Sequence, residues 1–209
     1  GKYIIILALS RSNENVRLAL VCPVRTHPVM RPSPTCVLMS GGVDSGVLLW
    51  RLLATGYTLR PVYVRCGLRW EHVELYWLRR FLRVIRSPHL KPLAVLRVPM
   101  QGLYGAHWSL GRGRAPGARS QDAAVYLPGR NVLLLSCAAI YGARMKSSTV
   151  AVGILKGNPF GDASLNFMRQ MARSLSLALE HPITVVAPLA RETKAHLVRT
   201  GHAAPLALT

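Results

Sequence analysis

The stretch "VLMSGGVDSGVLLW", residues 37–50, restricts the fold more than any other part of the chain. An apolar run of strand length stops at Ser40, Gly41 and Gly42, and a second apolar run follows Asp44 and Ser45. A strand that breaks at paired glycines and restarts as a helix needs a tight turn, and glycine supplies it at little steric cost. Asp44 or Ser45 is placed to cap the new helix. The free N–H groups of such a helix start favour an anion. The loop lacks the GxxxxGK[ST] spacing and its lysine, so it is not a Walker A loop, and GxGxxG is absent as well.

The same alternation continues along the chain. Strands are predicted at 36–40, 60–65, 93–98, 149–153 and 183–187, and helices at 44–55, 70–86, 130–144, 163–179 and 191–199. Alternating strands and helices imply an α/β protein with a doubly wound parallel sheet of five strands, covered on both faces. In the second helix, Trp70, Val73, Trp77, Phe81 and Val84 form the apolar stripe expected to pack inward. Arg79, Arg80, Arg83 and Arg86 then point elsewhere. Helix 130–144 is apolar almost all round and is expected to be central. Segment 99–129 is too long for an ordinary connection and reads as a lid or a disordered loop. Its Arg112, Arg114 and Arg119 either reach an anion or solvate the loop. Residues 1–35 read as an N-terminal extension ending in the proline-rich connector "PVRTHPVMRPSPT", and 36–209 as the main domain.

Lys and Arg number 27 against 8 Asp and Glu, a net charge of +19. The excess fits a polyanionic partner or an arginine-rich composition bias. Cys22, Cys36, Cys66 and Cys137 include no CxxC pair, which argues against a zinc site or a disulfide framework within these residues. Reduced thiols and a cytoplasmic location are the expectation. No apolar stretch approaches the ~20 residues of a membrane span.

"SGGVDS" resembles the pyrophosphate loop of the ATP pyrophosphatases, which implies cleavage of ATP between its α and β phosphates. "VYVRCGLRWEHVELYWLRRFL", "YLPGRNVLLLSCAAIYGA", "GILKGNPFGDASLNFMRQM" and "APLARETKAHLVRTG" follow in order. With the loop they resemble the 7-cyano-7-deazaguanine synthase family, in a divergent branch, from about Cys36 to Gly201. The resemblance implies an adenine nucleotide alpha hydrolase-like, Rossmann-like fold. It implies a ligase that adenylates 7-carboxy-7-deazaguanine, forms the amide with ammonia and dehydrates it to the nitrile, a precursor of queuosine. ATP and Mg²⁺ are the implied cofactors.

By the same resemblance Leu38, Met39, Ser40, Gly41, Gly42, Val43, Asp44, Ser45, Gly46, Val47 and Leu48 surround ATP. Val64 to Gly67, among them Cys66 and Gly67, pass the adenine, with Cys66 a pocket wall rather than a nucleophile. Asp44 binds Mg²⁺ or serves only as a helix cap. Arg130 and Asn131 open the central helix, where the guanidinium pairs with phosphate or carboxylate or stays exposed. Gly153, Asn158 and Asp162 fall in the base-recognition region, where Asp162 reads a guanine-like edge or caps the next helix. Lys194 neutralises phosphate or is a surface lysine. Asp44, Ser45, Arg130, Asn131 and Lys194 form the expected catalytic set.

Two departures stand out. "KGNPFGDAS" replaces the family's acidic residue and Tyr-Pro-Asp-like run, which leaves the purine open. The family's four-cysteine zinc segment would follow the last helix, where the sequence reaches Thr209, so its ligands are not among these residues. The expected partners are a 7-deazapurine acid and ammonia, with a homodimer left open and no direct tRNA contact or membrane. A tRNA-thiolating or lysidine-type enzyme, and a non-catalytic nucleotide-binding module, are the alternatives.

Overall fold

The computed structural model describes residues 33–111, 114–117, 120 and 126–201. Most of the N-terminal extension, together with Cys22, Arg112 and Arg119, lies outside the described residues; Arg114 is exposed. Five strands alternate with helices: β1 (Thr35–Met39), α1 (Val43–Ala54), β2 (Leu59–Arg65), α2 (Glu71–Val84), β3 (Ala94–Arg97), α3 (Gln101–Tyr104), α4 (Arg130–Arg144), β4 (Thr149–Ala151), α5 (Leu165–Leu179), β5 (Thr184–Val186) and α6 (Lys194–Thr200). A 3-10 turn, Gly161–Ala163, precedes α5. The expected elements are all present, and α4 spans the residues read from the sequence.

The sheet order is β3-β2-β1-β4-β5, and every pairing is parallel. β1 is central and buried throughout, and apolar from Cys36 to Met39 after a buried Thr35, as suits a strand covered on both faces. From β1 the chain steps outward to β2 and β3, then returns to β4 on the other side. Right-handed crossovers in opposite directions place their helices on opposite faces. Two cores result. Leu48, Leu49, Leu78 and Leu197 pack with Val37 and Met39 on one face, and Leu135, Ala138 and Met168 pack with Cys36 and Leu38 on the other.

Three expectations need correction. The inward stripe of α2 is Leu75, Leu78, Phe81 and then Ile85, whereas Val73 and Val84 are exposed at 44% and 42%. Of the expected stripe Phe81 is buried and Trp70 packs against the core, but Val73 and Val84 do not turn inward, and Trp77 lies at the flank with the Arg80 guanidinium 5.5 Å from its ring centroid. α4 buries Leu135, Ala138, Ala139 and Gly142 but leaves Ile140 and Val132 exposed, because its outer side meets solvent. Segment 99–129 is more than a loop. Met100, Leu110 and Leu127 enter the core, and the Tyr104 hydroxyl donates to the Pro128 carbonyl at 2.7 Å.

Leu78→Ala should cost about 2–5 kcal/mol as a buried truncation, whereas Val73→Ala should stay within about 0.5 kcal/mol. Urea unfolding of both variants checks the phase of α2; equal losses would restore the phase read from the sequence.

Candidate nucleotide and acceptor site

The loops after β1 and β4 leave the sheet in opposite directions, which opens a crevice at the carboxyl ends of these strands. Ligands of open α/β sheets bind at such a switch point. The loop 40–42 lies on one side. Gly41 has φ +73°, and a Cβ there would lie 2.8 Å from the Glu74 carbonyl oxygen, so both conformation and space require glycine. On the other side, a Cβ at Gly153 would stand 3.2 Å from the Asp44 carbonyl carbon and the Ser45 nitrogen. The β4 loop therefore presses directly on the first turn of α1.

Neither Asp44 nor Ser45 caps α1; the N-cap is Gly42, with no side-chain hydrogen bond. Ser45 instead braces the loop from within. Its hydroxyl donates to the Gly42 carbonyl at 3.1 Å and accepts from the Ser40 amide at 3.2 Å. The Gly42 amide donates to the Ser40 hydroxyl at 3.3 Å, and no N-cap side chain covers the first turn of α1, as suits an anion site. Asp44 forms an ion pair with Lys194 from α6.

A cavity of about 190 Å³ sits over the switch point. Of the predicted residues it gathers Leu38, Met39, Ser40, Ser45, Arg130, Asn131, Gly153 and Asn158. A second cavity, of about 210 Å³, shares Arg130, Asn131 and Asn158 with it. The second is lined by Asp162 and by the stacked rings of Tyr126 and Phe160, whose centroids are 4.4 Å apart. Arg130 stands at the junction, and its buried Nε has no hydrogen-bond partner. Asp162 accepts from the Asn131 amide at 3.0 Å, so it caps α4. The helix that follows it, α5, is capped by Ser164.

Other predicted residues fall elsewhere. Val47 and Leu48 are in the core under α1 because they lie on its inward face. Gly41, Gly42, Val43 and Gly46 border a small gap beside Trp77 rather than either main cavity. Cys66 and Gly67 line neither. Their amides donate to the buried Glu71 carboxylate, which also pairs with Arg65 at 3.2 Å, so this turn is clamped internally. Burial pushes the Cys66 thiol up to about 11, a thiol rather than a thiolate near neutrality.

The sequence reading missed Tyr63 and Glu74. Both line the first cavity, and the Tyr63 hydroxyl donates to Glu74 Oε2 at 2.6 Å. Burial raises the Glu74 carboxyl, while the Tyr63 hydrogen bond and the Arg130 charge oppose the shift. Among the described residues no group of three or more His, Cys, Asp or Glu is arranged to hold a metal ion, and no helix is long and apolar enough to cross a membrane.

This sheet, with a glycine loop feeding a helix start beside a polar switch-point cavity, defines an adenine nucleotide alpha hydrolase-like α/β protein. The family described as "Queuosine biosynthesis protein QueC" matches residues 35–208, and the chain belongs to that family. It is 26% identical over 175 residues to 7-cyano-7-deazaguanine synthase 1 of Desulfitobacterium hafniense, covering 83% of this chain and 78% of the relative. The 7-cyano-7-deazaguanine synthase of Anaeromyxobacter dehalogenans is 28% identical over 178 residues, at 79% and 74% coverage. A solved structure described as a predicted subunit of tRNA methyltransferase from Methanocaldococcus jannaschii matches with TM-score 0.52 and 15% identity, covering 80% and 73% of the two chains. This last likeness concerns the fold alone.

Cys66 should resist iodoacetamide in the folded protein at pH 8 and react fully once the chain is unfolded, as mapped by mass spectrometry of its peptide. Rapid labelling in the folded state would contradict both its burial and its raised pKa.

Proposed function

We propose that the protein is an ATP-dependent ligase that activates a 7-deazapurine carboxylic acid and converts it, with ammonia, through the amide to the nitrile. The observation that carries this reading is the meeting of two cavities at Arg130 and Asn131, one beside the anion loop and one lined by aromatic rings. An acid that is adenylated must bring its carboxylate against the α-phosphate, and a shared wall with a guanidinium suits both anions.

The division of labour follows from the positions. The loop around Ser40 and Ser45, with the start of α1, takes the pyrophosphate end of ATP, where fixed N–H groups favour departing charge. Arg130 draws the acceptor carboxylate and α-phosphate together, and Asp162 holds the α4 start rigid through Asn131. The acceptor oxygen attacks the α-phosphorus as the bond to pyrophosphate breaks. Ammonia then displaces AMP from the acyl carbon. The planar acceptor rests by the Tyr126 and Phe160 rings, with Asn158 at its polar edge. Asp44 is a half-exposed carboxylate at the loop, a hard oxygen ligand of the kind Mg²⁺ takes, and Lys194 beside it adds positive charge. Bound there, Mg²⁺ would neutralise phosphate charge. The described residues do not fit the zinc expected in the family.

Incubation with ATP, Mg²⁺, 7-carboxy-7-deazaguanine and ammonium should yield AMP and pyrophosphate, resolved by chromatography, and ADP in their place would refute the reading. Asp44→Asn should lower this turnover about 100-fold. Its effect on stability should be within about 1 kcal/mol, because the pair it breaks is solvent-accessible.

A further inference from the structure

The first cavity contains a residue that suits nitrogen better than phosphate. Glu74 is the one carboxylate among the described residues that lines it, and Asp44 does not. The same cavity is bordered by Ser40 and Ser45 of the anion loop and by Arg130. A carboxylate facing bound ATP repels it, so a group retained there must work on something that carries positive charge or surplus protons. Mg²⁺ is assigned above to Asp44, outside this cavity, and Arg130 is a fixed part of its wall; of the reacting molecules ammonia alone meets that description. It adds as a neutral molecule, becomes a substituted ammonium on the acyl carbon, and must lose a proton before the amide can form.

We infer that Glu74 is the proton acceptor of the amide-forming step, held in place by Tyr63. This rests on the ligase reading. The lone pair of ammonia forms the C–N bond to the acyl carbon of the adenylate. A proton passes from that nitrogen to the Glu74 carboxylate. The carbon–oxygen bond to AMP then breaks, and the electron pair leaves with AMP. Glu74 returns its proton to solvent before the next cycle.

The surroundings fit the task. The Tyr63 hydroxyl fixes Oε2 at 2.6 Å, which leaves the carboxylate one defined orientation. Tyr63 is itself 2% exposed, and burial together with Glu74 keeps its hydroxyl protonated as a donor. Burial raises the Glu74 carboxyl above the ordinary carboxylate value, which makes its carboxylate a stronger base. The groups that face it are Tyr63 from β2, Arg130 from α4, and Trp70 and Glu71 from the start of α2. Arg130 limits the upward shift and Glu71 adds to it, so Glu74 stays a usable base.

The test separates adenylation from amide formation. ATP–pyrophosphate exchange stimulated by 7-carboxy-7-deazaguanine reads the first step, and amide formation from ammonium reads both. In Glu74→Gln the ratio of amide formation to exchange should fall about 100-fold at pH 7. The deficit should shrink when neutral hydroxylamine replaces ammonium, because its adduct loses a proton more easily. Calorimetry should find ATP bound as tightly or more tightly, since a negative charge has left the cavity. Tyr63→Phe should lose less than Glu74→Gln and shift the pH profile of amide formation, with exchange following no such shift. A parallel fall in exchange and amide formation, or ATP affinity weakened about tenfold, would make Glu74 a nucleotide or metal ligand and overturn the inference. An unchanged ratio would overturn it too. Thermal denaturation of both variants identifies any loss due to unfolding, and Tyr63→Phe then decides. If the wild-type exchange is not stimulated by the acid, the ligase reading has failed, independently of Glu74.

Discussion

The arrangement depends on β1 being paired in parallel on both sides while its two neighbours are reached by crossovers in opposite directions. The loops after β1 and β4 therefore diverge, and the backbone opens where polar groups can converge without breaking the sheet. How wide it opens is set by Gly153, whose missing Cβ lets the β4 loop rest on the first turn of α1. A larger residue would push the anion loop away from Arg130 and Asn131.

Charge is distributed in a way that the total of +19 conceals. Of the six acidic residues in the described part, five are engaged at the carboxyl end of the sheet or beside it. Glu71 clamps the β2 turn, Glu74 meets Tyr63, Asp162 caps α4, Asp44 meets Lys194 and Glu192 meets Arg51. Glu180 is the sixth, at the α5 terminus. Carboxylates are thus scarce and concentrated where backbone N–H groups or cations need fixing, while the arginines of α2 stand on an outer face. The excess charge is consistent with anion chemistry at the crevice, and Arg79, Arg83 and Arg86 with Lys91 line a separate open cavity of about 790 Å³.

The elements were legible because each strand is a short apolar run and each helix a longer periodic one. Their boundaries moved by no more than three residues. What escaped were features fixed by tertiary contact. The phase of α2 could not be judged while Trp77 and Val73 carried as much weight as Leu75 and Leu78; only the position of β1 and β2 decides which of two apolar edges turns inward. The cap at Asp162 joins residues thirty-one apart, so no local pattern announces it. Glu71 and Glu74 did leave a signal. Two of only eight acidic residues occur three apart at a helix start, where the helix dipole favours negative charge, an uneven use of carboxylates in so basic a chain.

Arg130 explains why the site needs two cavities rather than one enlarged pocket. A carboxylate and a phosphate repel each other, and the barrier to joining them includes that repulsion. A guanidinium set between two chambers offers separate N–H groups to each anion, at fixed angles that a lysine point charge does not provide. Its buried Nε has no protein hydrogen-bond partner. Among the described residues no carboxylate forms a salt bridge with Arg130, although the Glu74 charge acts on it. A half-buried guanidinium without a salt-bridge partner still attracts anions, and on the ligase reading proposed above this is the electrostatic condition for acyl activation at the junction.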